Sequence, residues 1–330
     1  VVTLPLFAQT FHYVKDLPPL WALSKAFPVL SAPLALALLW RRIPRDALAW
    51  LYGFGWLALV PSVMAIFAFD QSFFLGLTAQ VKLLGMLHAV SFLGLLIILR
   101  PSLGELSLAF GVWAALMTLA LVVLWALAPV SWYATGYDFG DAPLLSVDHR
   151  GARIRMPMIF ILIGVFYASR QLFERVSMRD IAMAAGGVAL AVFVVKTRAV
   201  IAASVATIAL MLISAAPLDP GALPRFFNHF FFLSDISWLG IVFEYGLVGA
   251  MILLALIART WWLGREVQRA MRSPFLLALQ DYIVFVALIS PLYSVMTLQP
   301  GEVAMIAAIF IYGTLIVREN SAPAPSPAVT

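Results

Sequence analysis

The chain is a succession of long, continuous apolar runs separated by short polar links. It shows neither the two-residue alternation of half-buried strands nor a heptad repeat. A spanning helix needs about 20 apolar residues. Ten runs approach that length: Ser24–Trp40, Ala47–Phe69, Leu77–Leu99, Leu108–Leu127, Pro157–Ala168, Ile181–Val195, Ala199–Ala215, Ile236–Ala258, Pro274–Tyr293 and Val303–Val317. Strands of a membrane barrel would alternate apolar and polar positions, so these runs predict helices. The expected fold is all-α, a polytopic helical membrane protein of about ten to eleven transmembrane helices in a single domain over residues 1–320. Residues 1–23, with Lys15, Asp16 and Pro18-Pro19, read as an outer-face loop or interfacial stretch leading into the first span. Residues 128–156 form the large outer loop, and the Ala/Pro/Ser-rich tail 321–330 reads as disordered and cytoplasmic.

Lys and Arg in short loops set membrane orientation. Arg41, Arg42, Arg45, Arg100, Arg170, Arg175, Arg179, Arg259, Arg265, Arg269, Arg272 and Arg318 all fall on one side of this reading, twelve of the 21 basic residues. That side is taken as cytoplasmic. One conflict follows. Both Ala199–Ala215 and Ile236–Ala258 should run inward, so the link Pro217–Asp235 must recross the membrane, although it contains Pro217, Asp219, Pro220, Pro224, Arg225 and His229. Either it is broken and partly re-entrant, which is tolerated only inside protein or along a wet cavity, or a segment near Ala215–Arg225 is missing from the chain. The second is the expectation. Residues are likewise expected before Val1, because the chain starts without methionine or a signal-like region.

Composition narrows the class. The chain is 63 % hydrophobic and 11 % charged, against about 25 % charged in soluble domains. That excludes an ordinary soluble domain and a disordered chain. With no cysteine, disulfides, thiolate metal sites and cysteine nucleophiles are excluded as well. Ionisable groups inside the bilayer are costly and point to function by default, so each was weighed against a structural role.

The stretch Asp148-His149-Arg150-Gly151-Ala152-Arg153-Ile154-Arg155-Met156-Pro157 puts three arginines on the outer side, against the charge bias. Guanidinium forks suit phosphate or pyrophosphate. The plainer reading pairs them with Asp138, Asp141 and Asp148, or with lipid headgroups. Lys196-Thr197-Arg198 is a cationic outer hairpin. Alone it reads as snorkelling side chains; beside the first cluster it suggests a shared anion site. Asp235 stands at the outer mouth of a span, as an N-cap or as a functional carboxylate. Glu244 lies about 14 Å deeper, and reads as a carboxyl paired with another helix or as part of a site. Gly240, Gly246 and Gly249 provide small-residue spacing for close helix approach. Gln80 and Lys82, near the outer end of the third span, fit the same cavity, whereas His88 points to another face. His12, His88, His149 and His229 show no metal-ligand spacing, and no carboxylate pair suits magnesium. Trp132, Tyr133 and Tyr137 read as interfacial residues that also suit stacking on sugar rings.

These features, in this order, resemble the bacterial O-antigen ligase and O-antigen/exopolysaccharide polymerase superfamily. They are an arginine-bearing outer loop, a Lys-x-Arg turn (Lys196-Thr197-Arg198-Ala199), and a polar residue nine positions before Glu-x-Gly-x-x-Gly (Asp235, then Glu244-Tyr245-Gly246-Leu247-Val248-Gly249). The stretch Asp148–Pro157 resembles the polymerase branch, and the likeness covers roughly residues 148–259.

The resemblance implies a GT-C-like, lipid-linked-sugar glycosyltransferase architecture in the bacterial inner membrane, with the site on the periplasmic side. It implies a polyprenyl-pyrophosphate-linked oligosaccharide as substrate, no cofactor, no metal and no nucleic acid, with membrane lipid, a flippase and a chain-length regulator as partners. By position it assigns Arg150, Arg153, Lys196 and Arg198 to the pyrophosphate, and Asp235, with His149 in reserve, to general base catalysis. Ligases of the superfamily carry histidine where this chain has Asp235, and the outer loop before the motif is short here. The function expected is therefore polymerisation of lipid-linked repeat units, with a ligase as alternative. A transporter or lipid flippase, or a scaffold without chemistry, are alternatives of other classes.

Overall fold

The computed structural model describes residues 2–11, 17–40, 42–135, 144–148, 151–154, 158–191, 193, 205–208, 237–290 and 295–321. The helices are α1 Leu4–Phe7, α2 Pro18–Leu39, α3 Arg45–Phe69, α4 Phe73–Ala79, α5 His88–Leu99, α6 Leu103–Leu127, α7 Ile159–Glu174, α8 Met178–Leu190, α9 Ser237–Met271, α10 Pro274–Ile289, α11 Val295–Leu298 and α12 Pro300–Ser321. A 3-10 segment, Gln80–Leu87, joins α4 to α5. In hydrocarbon the backbone must satisfy its own hydrogen bonds, and continuous apolar runs do so as helices.

Among the described residues six stretches are long and apolar enough to cross a membrane: Pro18–Leu39, Arg45–Phe67, Phe73–Leu99, Leu103–Leu127, Glu244–Met271 and Pro300–Asn320. By length and composition they are compatible with a multi-pass membrane protein. Three other expected spans are shorter helices, with 16 residues in α7, 13 in α8 and 16 in α10. Of the run Ala199–Ala215 only residues 205–208 are described, as a helical turn, and the link Pro217–Asp235 lies outside the described residues. So does the tail beyond Ser321, which is itself the last residue of α12 rather than the first of the tail.

Local signals set the helix ends. Pro18 and Pro274 open α2 and α10, where a missing N–H costs nothing. A capping box opens α6: the Glu105 N–H donates to Ser102 Oγ (3.2 Å), and the Ser102 N–H to Glu105 Oε2 (2.7 Å). α3, α5 and α9 are each followed by a left-handed residue, Asp70, Arg100 and Arg272. At two of these three ends the residue is a cation, which suits a helix C-terminus.

α12 and the third span are central, with 78 % and 61 % of their apolar windows buried, whereas α2 and α3, at 28 % each, lie at the periphery. The peripheral helices present Leu30, Leu34, Leu38 and Phe67 outward, as lipid-facing surfaces do. Close approach of α9 to α12 uses glycine at both sides. A Cβ on Gly264 would lie 2.8 Å from Phe310, and one on Gly313 would lie 2.7 Å from Val267.

Two expectations are corrected and one is refined. First, the N-terminal segment is not a surface stretch: Leu4, Phe7, Ala8, Gln9 and Thr10 are all buried, and α1 packs against α2 and α12. Its apolar residues gain more from burial than an interfacial position provides. Second, α9 continues past Ala258 to Met271, so Arg259, Arg265 and Arg269 sit on a helix rather than in a loop. Leu263 and Val267, both buried, keep an apolar face on that extension. Third, as a refinement, the fold is all-helical as expected, and the outer loop carries one small sheet. β1 Ala134–Thr135 runs parallel to β2 Leu145–Asp148, which pairs antiparallel with β3 Gly151–Ile154. Leu145 faces Ile154 across the ladder, and both are buried against the bundle.

Candidate functional site

Two of the spans are interrupted in the outer half of the bundle, and their interruptions meet. In the third span the helix tightens to the 3-10 form from Gln80 to Leu87, a form that in mid-helix often marks a functional or strained segment. In α9 the helical dihedrals fail at Gly246 (φ 70°, ψ 174°). Only glycine adopts that backbone freely, and no atom lies within 4 Å of where its Cβ would be. Gly246 is therefore there for conformation, not for the close approach its spacing suggested. Gly249 does serve approach: a Cβ would lie 2.5 Å from Tyr245 Cβ and 3.0 Å from Leu57 Cδ2.

The residues flanking these interruptions bind one another. The Lys82 ammonium donates to a Glu244 carboxylate oxygen. The Tyr245 hydroxyl donates to Gln80 Oε1 (3.1 Å), and Lys82 Nζ stands 5.7 Å from the Tyr245 ring centroid. Tyr245 and Gln80 are buried, but the ion pair is not closed off: Lys82 is 26 % and Glu244 38 % exposed. The Glu-x-Gly-x-x-Gly stretch thus supplies an acid, a ring that anchors the neighbouring span, a backbone break and a contact point. What the pair offers chemically is a cation and a carboxylate that a ligand can reach.

The 3-10 segment is also wedged from within. Gln9 adopts a left-handed backbone (φ 53°), and its Oε1 accepts from the Gly301 N–H (2.7 Å). Gly85 lies against the same side chain, since a Cβ there would be 2.2 Å from Gln9 Oε1. His88, fully buried, contacts the Phe7 carbonyl through Nδ1 (2.7 Å), and its Nε2 has no hydrogen-bond partner among the described residues. The Tyr282 hydroxyl donates to the buried Glu302 carboxylate. These groups are structural in their surroundings.

Of the residues expected to act, Asp235, His149, Arg150, Lys196 and Arg198 lie outside the described residues. Arg153 is in β3, opposite Ser146 of β2, with only its backbone described. Asp148 and Gly151 are paired across the hairpin that flanks His149 and Arg150. The site residue that sequence reasoning left without an assignment is Lys82 as the partner of Glu244. A signal for it existed: Lys82 stands about 8 Å and Glu244 about 12 Å inside the outer ends of the runs Leu77–Leu99 and Ile236–Ala258, and ionisable groups inside a membrane pair with one another. Among the described residues no three of His, Asp and Glu converge as a metal site would require.

No family model matches this chain, and no curated protein or solved structure does either.

Proposed function

We propose that the protein is a membrane glycosyltransferase that polymerises lipid-linked oligosaccharide repeat units into exopolysaccharide or O-antigen. The reading places it in the bacterial inner membrane, with a GT-C-like arrangement of ten to eleven helices and a periplasmic site. The observation that carries it is the Lys82–Glu244 pair, half open at the break in α9, within the motif that follows Asp235 by nine residues.

In the reaction an acceptor sugar hydroxyl attacks the anomeric carbon of the donor, the glycosidic bond forms, and polyprenyl pyrophosphate departs with the bonding electrons. The charge on the departing pyrophosphate needs fixed cations. Arg150, Arg153, Lys196 and Arg198 are assigned to it, and Lys82 adds a cation deeper in the same half. Asp235 takes the proton from the attacking hydroxyl, with His149 as the reserve base. A flippase delivering the donor and a chain-length regulator are the partners this reaction requires.

The test is a gel of cell polysaccharide from a gene deletion complemented with wild type, Arg150→Ala, Arg198→Ala or Asp235→Ala at equal protein level. The expected result is loss of long polymer, with accumulation of single repeat units, in the deletion and the arginine variants. Normal polymer from the deletion strain overturns the reading. Transfer of whole preformed chains without a ladder of repeats assigns a ligase instead.

One observation favours a second reading. Two interrupted helices facing each other around an ion pair are also the arrangement of secondary-transporter sites. Substrate uptake by proteoliposomes, with the cell glycan unchanged in the deletion, selects that reading.

A further inference from the structure

At the opposite end of the bundle, on the face that carries the basic residues, a cavity of about 480 Å³ opens between the ends of α7 and α9 and the start of α10. Glu174, Gln268, Arg269, Arg272, Ser273 and Leu277 line it. We propose that this cavity binds a phosphate group, supplied in the membrane by the headgroup of an acidic phospholipid of the cytoplasmic leaflet.

Arg42, Arg45, Arg100, Arg175 and Arg318 on this face have no ion pair among the described residues and stand outside the cavity lining. Four further arginines are already engaged. Arg170 is held by Asp281, Arg259 by Asp46 and Arg179 by Asp180, and Arg265 stands 4.9 Å from the Trp261 ring and 5.5 Å from the Trp262 ring. Arg269 and Arg272 have no ion pair among the described residues, although Glu174 lines the same cavity. Two guanidinium groups against one carboxylate leave the cavity with a net positive charge. Guanidinium forks pair bidentately with phosphate oxygens. The Gln268 side chain is already committed: its Oε1 accepts from the Ser273 N–H (3.1 Å) and fixes the turn that carries Arg272.

The surroundings favour a lipid over a free ion. Phe173 and Val176, flanking Glu174, are 42 % and 82 % exposed, and Trp262 is 49 % exposed on α9. Exposed apolar side chains beside a cationic cavity give acyl chains a surface to lie on, and tryptophan settles at headgroup depth. Basic pockets between spans on the cytoplasmic side bind acidic headgroups in this way, at about 1 kcal/mol per cation, or about fivefold in affinity.

The experiment uses the purified full chain in detergent. Phosphatidylglycerol or phosphatidylcholine is added and retained lipid is read by native mass spectrometry; inorganic phosphate is titrated separately by calorimetry. The expected result is retention of phosphatidylglycerol over phosphatidylcholine by the wild type. The Arg269→Gln/Arg272→Gln double variant should lower the phosphatidylglycerol affinity about 25-fold, and Arg179→Gln should leave it unchanged. Glu174→Gln should raise it about fivefold, and this variant decides the matter if the double variant fails to fold. Saturable binding of inorganic phosphate, lost in the double variant and with no preference between the lipids, supports the phosphate site and assigns it a soluble ligand. Equal retention of both lipids together with no phosphate binding, or affinities that none of the substitutions moves, overturns the proposal.

Discussion

The Arg170–Asp281 pair of the inner half and the Lys82–Glu244 pair of the outer half use charge in opposite ways. In the inner half, ion pairs join helices along regular stretches. Arg170 of α7 grips Asp281 of α10 with two parallel bonds of 2.8 and 2.7 Å, the pair being 18 % and 9 % exposed. Arg259 of α9 also grips Asp46 in the first turn of α3, at 2.7 and 3.2 Å, but this pair is 46 % and 24 % exposed and so is not a closed one. In the outer half the corresponding pair, Lys82 with Glu244, joins two spans where each is interrupted, and it is open to the surface. A closed bidentate pair between regular helices is a fastener. An open pair between broken helices leaves two charges that a ligand can reorganise without dismantling the fold. The comparison therefore sets Lys82–Glu244 apart from Arg170–Asp281 as a pair open to a ligand.

The comparison breaks or sharpens on three substitutions. The largest effect is expected at Arg170→Ala, which strands the Asp281 carboxylate in the interior. Removing one partner of a buried pair costs about 3–5 kcal/mol, read as a fall in melting temperature and in folded yield in detergent. Stability within 1 kcal/mol of wild type would show that the inner pair is not a fastener. Next is Gly85→Ala. Its new methyl meets the Gln9 amide, and overpacking of this kind costs about 1–3 kcal/mol. Because Gln9 belongs to the buried N-terminal segment, protease accessibility of residues 2–11 should rise together with the loss of stability. Unchanged accessibility would mean that this segment does not depend on the Gly85 slot. The smallest stability effect is expected at Lys82→Ala, at most about 1 kcal/mol for a pair this exposed. The same variant should reduce polymer yield by more than tenfold. A strongly destabilised Lys82→Ala protein would make the outer pair a fastener too, and would remove the contrast between the halves.

Part of this organisation was legible along the chain, because the signals are local. The runs at 24–40, 47–69 and 108–127 became α2, α3 and α6 with only their ends displaced. The proline pair Pro18-Pro19 and the Ser102–Glu105 spacing open α2 and α6, several residues before the starts expected at Ser24 and Leu108. Within the Glu244–Gly249 stretch the expected role of one glycine is corrected. Gly246 was read as a contact point, whereas it supplies the break in α9. Close helix approach and positive φ both select glycine, and spacing does not distinguish them. The N-terminal segment is misplaced by a reading that rests on Lys15, Asp16 and Pro18-Pro19, whereas the polar Gln9 and Thr10 before them are buried. Their burial becomes affordable only with partners such as the Gly301 N–H, which stands 292 residues away from Gln9.

The sequence by itself determined that the protein is helical and that it has the apolar length to cross a membrane repeatedly. These follow from hydrocarbon's demand that a backbone bond to itself, which acts on a short stretch of chain. Only the tertiary structure decided which charges are fasteners and which stay open, where a span tightens to a 3-10 turn, and that the N-terminal residues belong to the core. Those depend on partners far apart in the chain, such as Lys82 with Glu244 and Arg170 with Asp281. Pairing of that kind is set by depth and packing together, and neither is written in any single window of residues.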